Sequence, residues 1–304
     1  MKIIVAGGTG FIGSALVNAL LPEKHEIIVL SRAPEKIKLT HPAIQLVKWD
    51  GKTGDGWARY ADGADALVNL AGEPIAPLPW FGERKIKIRA SRVDAGHALV
   101  DAVRQTRNKP RVLVQASAVG YYGLRGDDML TEDASPGDDY LAQVCVAWEN
   151  SSSAVEAQGV RRAIYRTGLV LARRGGILPL MALPFQFFIG GRVGDGKQWM
   201  SWIHLADEIA AIKTLIQNEN ARGAFNLVAP NPTRNADFSK ALGNALARPS
   251  AFPTPAFALK LPFGEMAELL LLGGQRVAPQ RLTQLGFQFR FPTIEATLQD
   301  VYRK

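Results

Sequence analysis

The chain has 304 residues, 47% of them hydrophobic and 21% charged, with a formal net charge of +8. That length buries a substantial core without metals or crosslinks, and that composition excludes wholesale disorder. One cysteine, Cys145, excludes an intrachain disulfide and a four-cysteine zinc site, and His25, His41, His97 and His204 lack metal-ligand spacing, so no metal is expected and a reducing cytoplasm fits best.

The Lys and Arg residues are spread along the chain rather than stacked in a run, which argues for a phosphorylated small molecule as partner and against nucleic acid. No membrane span is expected: prolines interrupt 177–189 and charges interrupt 257–272, short of the about 18 unbroken apolar residues required. Lys2 and the apolar stretch after it resemble a leader, but four glycines punctuate that stretch.

In chain order, short β-branched runs alternate with longer helical patterns, as in a parallel sheet covered on both faces. Strands are predicted at 2–6, 26–31, 44–49, 65–70, 111–117 and 161–167, with helices near 11–21, 82–105 and 138–158. In the 82–105 helix, Ile86, Ala90, Val93, His97 and Val100 recur at three- and four-residue spacing, predicting the buried stripe. Past residue 168 the alternation weakens and prolines gather (Pro179, Pro184, Pro230, Pro232, Pro249, Pro253, Pro255). The predicted fold is α/β: a Rossmann-type doubly wound parallel sheet over 1–168, and a smaller C-terminal substrate-binding lobe over 169–304. That lobe is mixed α/β with a mostly helical end, can return elements to the sheet, and is set against its carboxyl edge.

The string V-A-G-G-T-G-F-I-G places Gly7, Gly10 and Gly13 between the first strand and the first helix, with Thr9, Phe11 and Ile12 completing the loop. Glycines there allow a tight turn, close approach to a pyrophosphate and close helix packing, and the helix start offers unpaired N–H groups. A purely structural glycine turn leaves the period of three unexplained. Ser31 and Arg32 end the second strand, with Lys36 and Lys38 near. An acidic residue there would bond ribose hydroxyls; a guanidinium suits a 2′-phosphate, so NADP(H) is expected over NAD(H).

These motifs, with N-L-A-G at 69–72, S-A-V-G-Y-Y-G at 117–123, R-T-G-L-V-L at 166–171 and W-I-H-L-A-D-E at 202–208, resemble the extended short-chain dehydrogenase/reductase superfamily. A-G-E-P-I at 71–75, L-G-G-Q-R at 272–276 and L-G-F-Q-F-R at 285–290 narrow the resemblance to its epimerase-like family of the YfcH type, with a DUF1731-like C-terminal segment. The resemblance implies a substrate cleft between Rossmann sheet and lobe. It implies cofactor contacts at Leu70, Ala71, Gly72, Asp50 (toward adenine), Ala116, Thr167 and Gly168. It also implies a substrate-orienting serine at Ser117, unless Ala118 takes that register.

The departure from the pattern concerns Tyr-x-x-x-Lys, which reads Tyr140 followed by Val144. Without the ammonium a phenol near pKa 10 is a poor base. Tyr140 is then either a hydrogen-bond donor or a helix-start aromatic, and Tyr122 or Tyr121 is a substitute hydroxyl or packing. For the substrate pocket the candidates are Glu73, Tyr121, Trp199 and His204; His204 is expected chiefly to anchor its loop to Asp207. The implied function is an NADP(H)-dependent oxidoreductase or epimerase acting on a small polar substrate, a nucleotide sugar being one candidate. The alternative is a catalytically weak NADP(H)-binding sensor or scaffold. The 82–105 and 138–158 helices are the candidate surfaces for a homodimer.

Overall fold

The computed structural model describes residues 1–37, 41–76 and 80–303. Seven strands form one parallel sheet: β1 (Lys2–Ala6), β2 (Glu26–Ser31), β3 (Ile44–Lys48), β4 (Ala66–Asn69), β5 (Val112–Ala118), β6 (Arg161–Thr167) and β7 (Gly223–Leu227), in the order β3-β2-β1-β4-β5-β6-β7. The predicted strands fall within a residue or two of these bounds. The chain winds one way from β1 to β3 and the other from β4 onward, so a crevice opens where β1 and β4 end side by side.

Both faces of the sheet are covered, which is why its strands are apolar without alternation. Ile3, Val5, Val112, Val114 and Ala116 pack against Leu16 and Val17 of α1 (Phe11–Leu20) and Ile212 and Leu215 of α4 (Leu205–Gln217). Ile4, Leu67 and Leu113 face Ala95, Ala98 and Leu99 of α2 (Glu83–Gln105). The buried stripe of α2 runs through Ile88, Ala95, Leu99 and Val103, whereas Ile86 and His97, expected in it, are exposed. Small residues decide this register. A Cβ on Gly96 would overlap Ser151 Oγ of α3 (Tyr140–Ser151), so the two helices meet there through glycine.

After β6 the chain leaves through 169–204, then returns as α4 and β7. The remaining core gathers Leu171, Trp202, Phe238 of α5 (Asn235–Leu246) and Leu298 of α6 (Ile294–Tyr302). Residues 276–277 pair in parallel with 129–130, and Ser201 Oγ donates to the Gln275 carbonyl at 2.7 Å, tying the L-G-G-Q-R segment beneath the cleft. Phe263, Met266, Leu269 and Leu270 pack with Ile88, Leu141 and Val144, so the chain itself covers the first turns of α2 and α3. Among the described residues no helix is long and apolar enough to cross a membrane.

Candidate active site

The phosphate end is built from absent side chains. Gly7 turns at φ +76°, and a Cβ on it would stand 2.7 Å from the Leu70 carbonyl carbon; a Cβ on Gly13 would overlap the Gly7 carbonyl oxygen. The ends of β1 and β4 and the start of α1 therefore close on one another with room only for backbone. Gly10 donates to the Gly7 carbonyl at 3.0 Å and begins α1 with no side-chain cap and no acidic residue in the first turn. The N–H groups around Phe11 and Ile12 thus face the crevice with their partial positive charge unneutralised. Thr9 and Gly10 are exposed, and the Phe11 ring lies against Gly175 and Gly176. A dinucleotide pyrophosphate fits the uncapped start of α1, where Thr9 and Gly10 are exposed, and glycine at 7 and 13 is what lets the strand ends and the helix start meet there.

At the end of β2, Ser31 Oγ accepts the Ala33 N–H at 3.2 Å. Exposed Arg32 borders a cavity of about 700 Å³ shared with Trp49, Asp50, Thr53, Arg59 and Tyr60. Asp50 lines it but is engaged locally: its carboxylate accepts the N–H groups of Lys52 (2.8 Å) and Thr53 (2.9 Å) and the Thr53 hydroxyl. Partial burial pushes its carboxyl upward, yet those hydrogen bonds hold it below the usual range. Lys36 is exposed nearby; Lys38 lies outside the described residues. Past β4, Asn69 bonds Gln115 Oε1 at 3.0 Å and accepts the Ala71 N–H at 3.2 Å, shaping the Leu70–Gly72 turn toward the crevice.

The opposite end, over β5 and β6, departs from expectation. Ser117 is 1% exposed, and its hydroxyl donates to Glu149 Oε1 of α3 at 2.7 Å. Strand alternation points Ala116 and Ala118 the other way; Ala116 is in the α1–α4 core and Ala118 is half-buried at the strand end. Arg166 grips Glu149 through Nε (2.8 Å) and Nη2 (3.0 Å), and Nη1 donates to Tyr122 Oη at 3.0 Å. Burial opposes the Arg166 charge, but Glu149 more than offsets this and raises its pKa.

Tyr122 is fully buried, donates to Asn226 Oδ1 at 2.6 Å, and is pushed up to about 12 by burial. It is a structural hydroxyl rather than the substitute acid or base that its position suggested. Tyr121 remains half-buried, its ring centre 3.4 Å from the Arg166 guanidinium carbon.

Helical spacing explains the missing pair. The face of α3 toward β5 carries Leu141, Cys145 and Glu149, one turn apart, while Tyr140 turns aside: its hydroxyl donates to the Lys85 carbonyl at 2.8 Å and its ring packs on Trp80. Val144 sits in the apolar cluster with Trp80, Ile88 and Met266. The positions confronting the end of β5 therefore hold neither a phenol nor an ammonium. The Cys145 thiol is fully buried, and burial, with Glu149 adding to it, pushes it up to about 12, so it is inert as a nucleophile.

Other expected residues divide similarly. Thr167 ends β6 and half-buried Gly168 follows it; a Cβ on Gly168 would overlap the Ser201 carbonyl, so its glycine is demanded by strand packing. Glu73 stays near the crevice, its carboxylate 3.7 Å from Arg84. Trp199 donates to Asp127 at 2.8 Å between the guanidinium groups of Arg234 and Arg276. His204 caps α4 by accepting the Ala206 N–H, stacks on Phe291 and meets Asp300 at 3.4 Å; burial lowers its pKa. The partner expected for His204, Asp207, instead accepts the N–H groups of Arg290 and Phe291.

Sequence reasoning missed Glu149, Arg166, Arg92 and Glu208. Glu149 carried a signal: it closes the i, i+4, i+8 series from Leu141. Glu208 is wholly buried, and among the described residues neither of its oxygens has a hydrogen-bond partner at ordinary distance. Burial pushes its carboxyl up to about 8, while the nearby Thr167 hydroxyl turns to the Gly168 carbonyl.

A doubly wound seven-stranded parallel sheet with a glycine turn at its switch point is the architecture of the extended short-chain dehydrogenase/reductase class. Residues 3–227 match the NAD dependent epimerase/dehydratase family and residues 254–301 match a domain of unknown function, DUF1731. The chain belongs to the NAD dependent epimerase/dehydratase family. It is 39% identical over 303 residues to the epimerase family protein SDR39U1 homolog, chloroplastic, of Arabidopsis thaliana, covering 99% of this chain and 86% of that protein.

Among solved structures it is similar to human epimerase family protein SDR39U1 (isoform 2) with NADPH. The TM-score is 0.89, with 31% identity and 99% of each chain covered. It is also similar to the nucleoside-diphosphate sugar epimerase from Corynebacterium glutamicum, with TM-score 0.80, 35% identity, and coverage of 99% of this chain but 58% of that one.

Proposed function

We propose that the chain binds NADP(H) across the carboxyl ends of β2, β1 and β4 and serves a redox or epimerising step on a small polar substrate, a nucleotide-linked sugar being one class. The observation that carries this is the uncapped start of α1 at Gly10, brought against the ends of β1 and β4 by Gly7 and Gly13, with exposed Arg32 at the end of the neighbouring β2. In this reading α1 N–H groups near Thr9, Gly10, Phe11 and Ile12 hold the pyrophosphate, and Arg32 grips the 2′-phosphate beside Ser31. Leu70, Ala71 and Gly72 line the cofactor by backbone. A bound nicotinamide would supply hydride transfer.

Ser117 acts through Glu149 and Arg166, which fix the Tyr121 ring beside the crevice; Tyr121, Glu73 and Thr167 then face the substrate. The NADPH carried by the human relative supports the cofactor choice. Calorimetry with NADPH and NADH tests the cofactor, and a panel of nucleotide sugars and carbonyl compounds, followed by nicotinamide absorbance and by NMR for epimer exchange, tests the chemistry. Negligible heat with both nucleotides sinks the reading.

A second reading is favoured by one observation, the α3 face of Leu141 and Cys145. A chain that keeps the cofactor and lacks the phenol–ammonium pair suits an NADP(H) sensor or scaffold. Full NADPH binding with no turnover across the panel selects it. Leu141→Tyr with Cys145→Lys then discriminates further, since gained turnover in that variant shows a site intact except for the pair. Val144→Lys would only drive an ammonium into the Trp80–Met266 cluster.

A further inference from the structure

The turn after β4 is fastened to α2 by two neighbouring side chains. Ser91 Oγ accepts the Glu73 N–H at 2.9 Å, and Arg92 Nη1 donates to the carbonyls of Glu73 (3.0 Å) and Ile88 (2.9 Å). The Arg92 guanidinium carbon lies 4.9 Å from the centre of the Trp148 ring, and a Cβ on Gly72 would approach it to 3.1 Å. Glycine at 72 therefore leaves the guanidinium open to the crevice.

An arginine has five N–H donors; Nη1 accounts for both of its bonds here, and among the described residues Nε and Nη2 have no protein partner. Nor does a carboxylate neutralise it among those residues, the Glu73 carboxylate being directed to Arg84 instead. Burial, the main influence on this group, works against its charge. A half-buried guanidinium beside the crevice, with two nitrogens free of protein partners and no carboxylate paired with it among the described residues, leaves donors that a ligand's oxygen atoms can take up.

The strand order says which ligand group that is. Arg32 stands at the end of β2, the phosphate cradle at β1 and α1, Gly72 just past the end of β4, and Trp148 on the helix beneath β5. A dinucleotide with its 2′-phosphate on Arg32 and its pyrophosphate on α1 must carry its other half toward β4 and β5. We propose that Arg92 is a cofactor-binding residue whose Nε and Nη2 hold oxygen atoms of the nicotinamide-side nucleotide. This rests on the dinucleotide reading above. The crevice then grips both ends of one ligand with guanidinium groups from different elements, Arg32 selecting the cofactor and Arg92 seating its reactive half.

The test uses the full chain and three ligands: NADPH, NADH and adenosine 2′,5′-bisphosphate, which lacks the nicotinamide half. Arg92→Met is expected to weaken NADPH and NADH alike by about tenfold, as for lost hydrogen bonds from a charged group, and to leave the bisphosphate unchanged. Arg92→Lys keeps charge and stem but not the fork, and is expected to lose about threefold on the same two ligands. Ser91→Ala removes the other fastening of the turn and is expected to leave all three affinities in place.

Unchanged NADPH affinity in Arg92→Met overturns the proposal. So does an equal loss for the bisphosphate, and so does an equal loss in Ser91→Ala, which would make Arg92 a loop fastener alone. Where Arg92→Met fails to fold, unchanged affinities in Arg92→Lys overturn it. A wild-type chain that binds neither dinucleotide sinks the underlying reading, an outcome recognised without any variant.

Discussion

At one end of the crevice, Gly7 and Gly13 bring strand end and helix start together through backbone alone and Gly10 leaves that start exposed and uncapped; at the other, Ser117, Glu149, Arg166, Tyr122 and Asn226 bond to one another and bury nearly every polar atom they carry. The first region is unsatisfied by its own residues and so awaits an anion. The second is already satisfied, and its groups resist recruitment by a substrate because each has a partner to lose. Under the proposed reading, cofactor recognition and substrate chemistry therefore rest on separate supports in this fold.

The comparison breaks first at the satisfied end. Glu149→Ala leaves the Arg166 guanidinium buried without its carboxylate; the two side chains are 5% and 9% exposed, and loss of a partner from such a pair costs about 3–5 kcal/mol. Denaturant unfolding should show that loss, and a midpoint within error of wild type would mean the network is not held as described. Gly13→Val tests the other end. Its branched Cβ overlaps the Gly7 carbonyl, so dinucleotide affinity should fall by about a hundredfold, equivalent to about 2.8 kcal/mol.

Arg32→Ala sharpens the picture on a smaller scale. NADPH affinity should drop about tenfold, with NADH unmoved, because only the 2′-phosphate loses its charge-assisted bonds; an unchanged NADPH-to-NADH ratio would show Arg32 to be a solvated loop charge.

A change that pH alone reveals concerns Glu208. Its folded-state carboxyl titrates at about 8 against an ordinary value of 4.5. The stability it confers is therefore full below 4.5, where it is protonated in both states, and is lost as pH rises through about 8. Glu208→Gln should match wild type in acid and exceed it in melting temperature by a margin that grows from pH 4.5 to about 8. A gain of the same size at pH 4 would show that the carboxyl is not neutral in the fold.

The sheet and the cradle were legible because their signals are local. An apolar run such as Ile27–Leu30 has one way to be buried on both faces, and three glycines between strand and helix have few other uses. The α2 stripe was misread because large residues such as Ile86 drew the pattern, whereas the packed face uses Ala95, Gly96 and Ala98, whose smallness lets helices approach. Ser117 was legible as a position but not as an orientation: a shift of one residue reverses the face of a strand, and its partner Glu149 lies 32 residues on. Arg92 was invisible because its meaning depends on Gly72 and Trp148, which only the fold brings to it.

The return of the chain to the sheet bears on how the protein is made. The N–H of Gly168 donates to the Leu227 carbonyl, and β6 is flanked on its outer side by β7, whose residues follow some sixty positions later. On the ribosome, β6 has no outer neighbour until Leu227 has emerged. Over that interval its open backbone row can pair with another nascent chain. Slowing translation between codons 168 and 227 should lengthen that exposure, and a chain truncated after residue 168 would carry the open edge permanently.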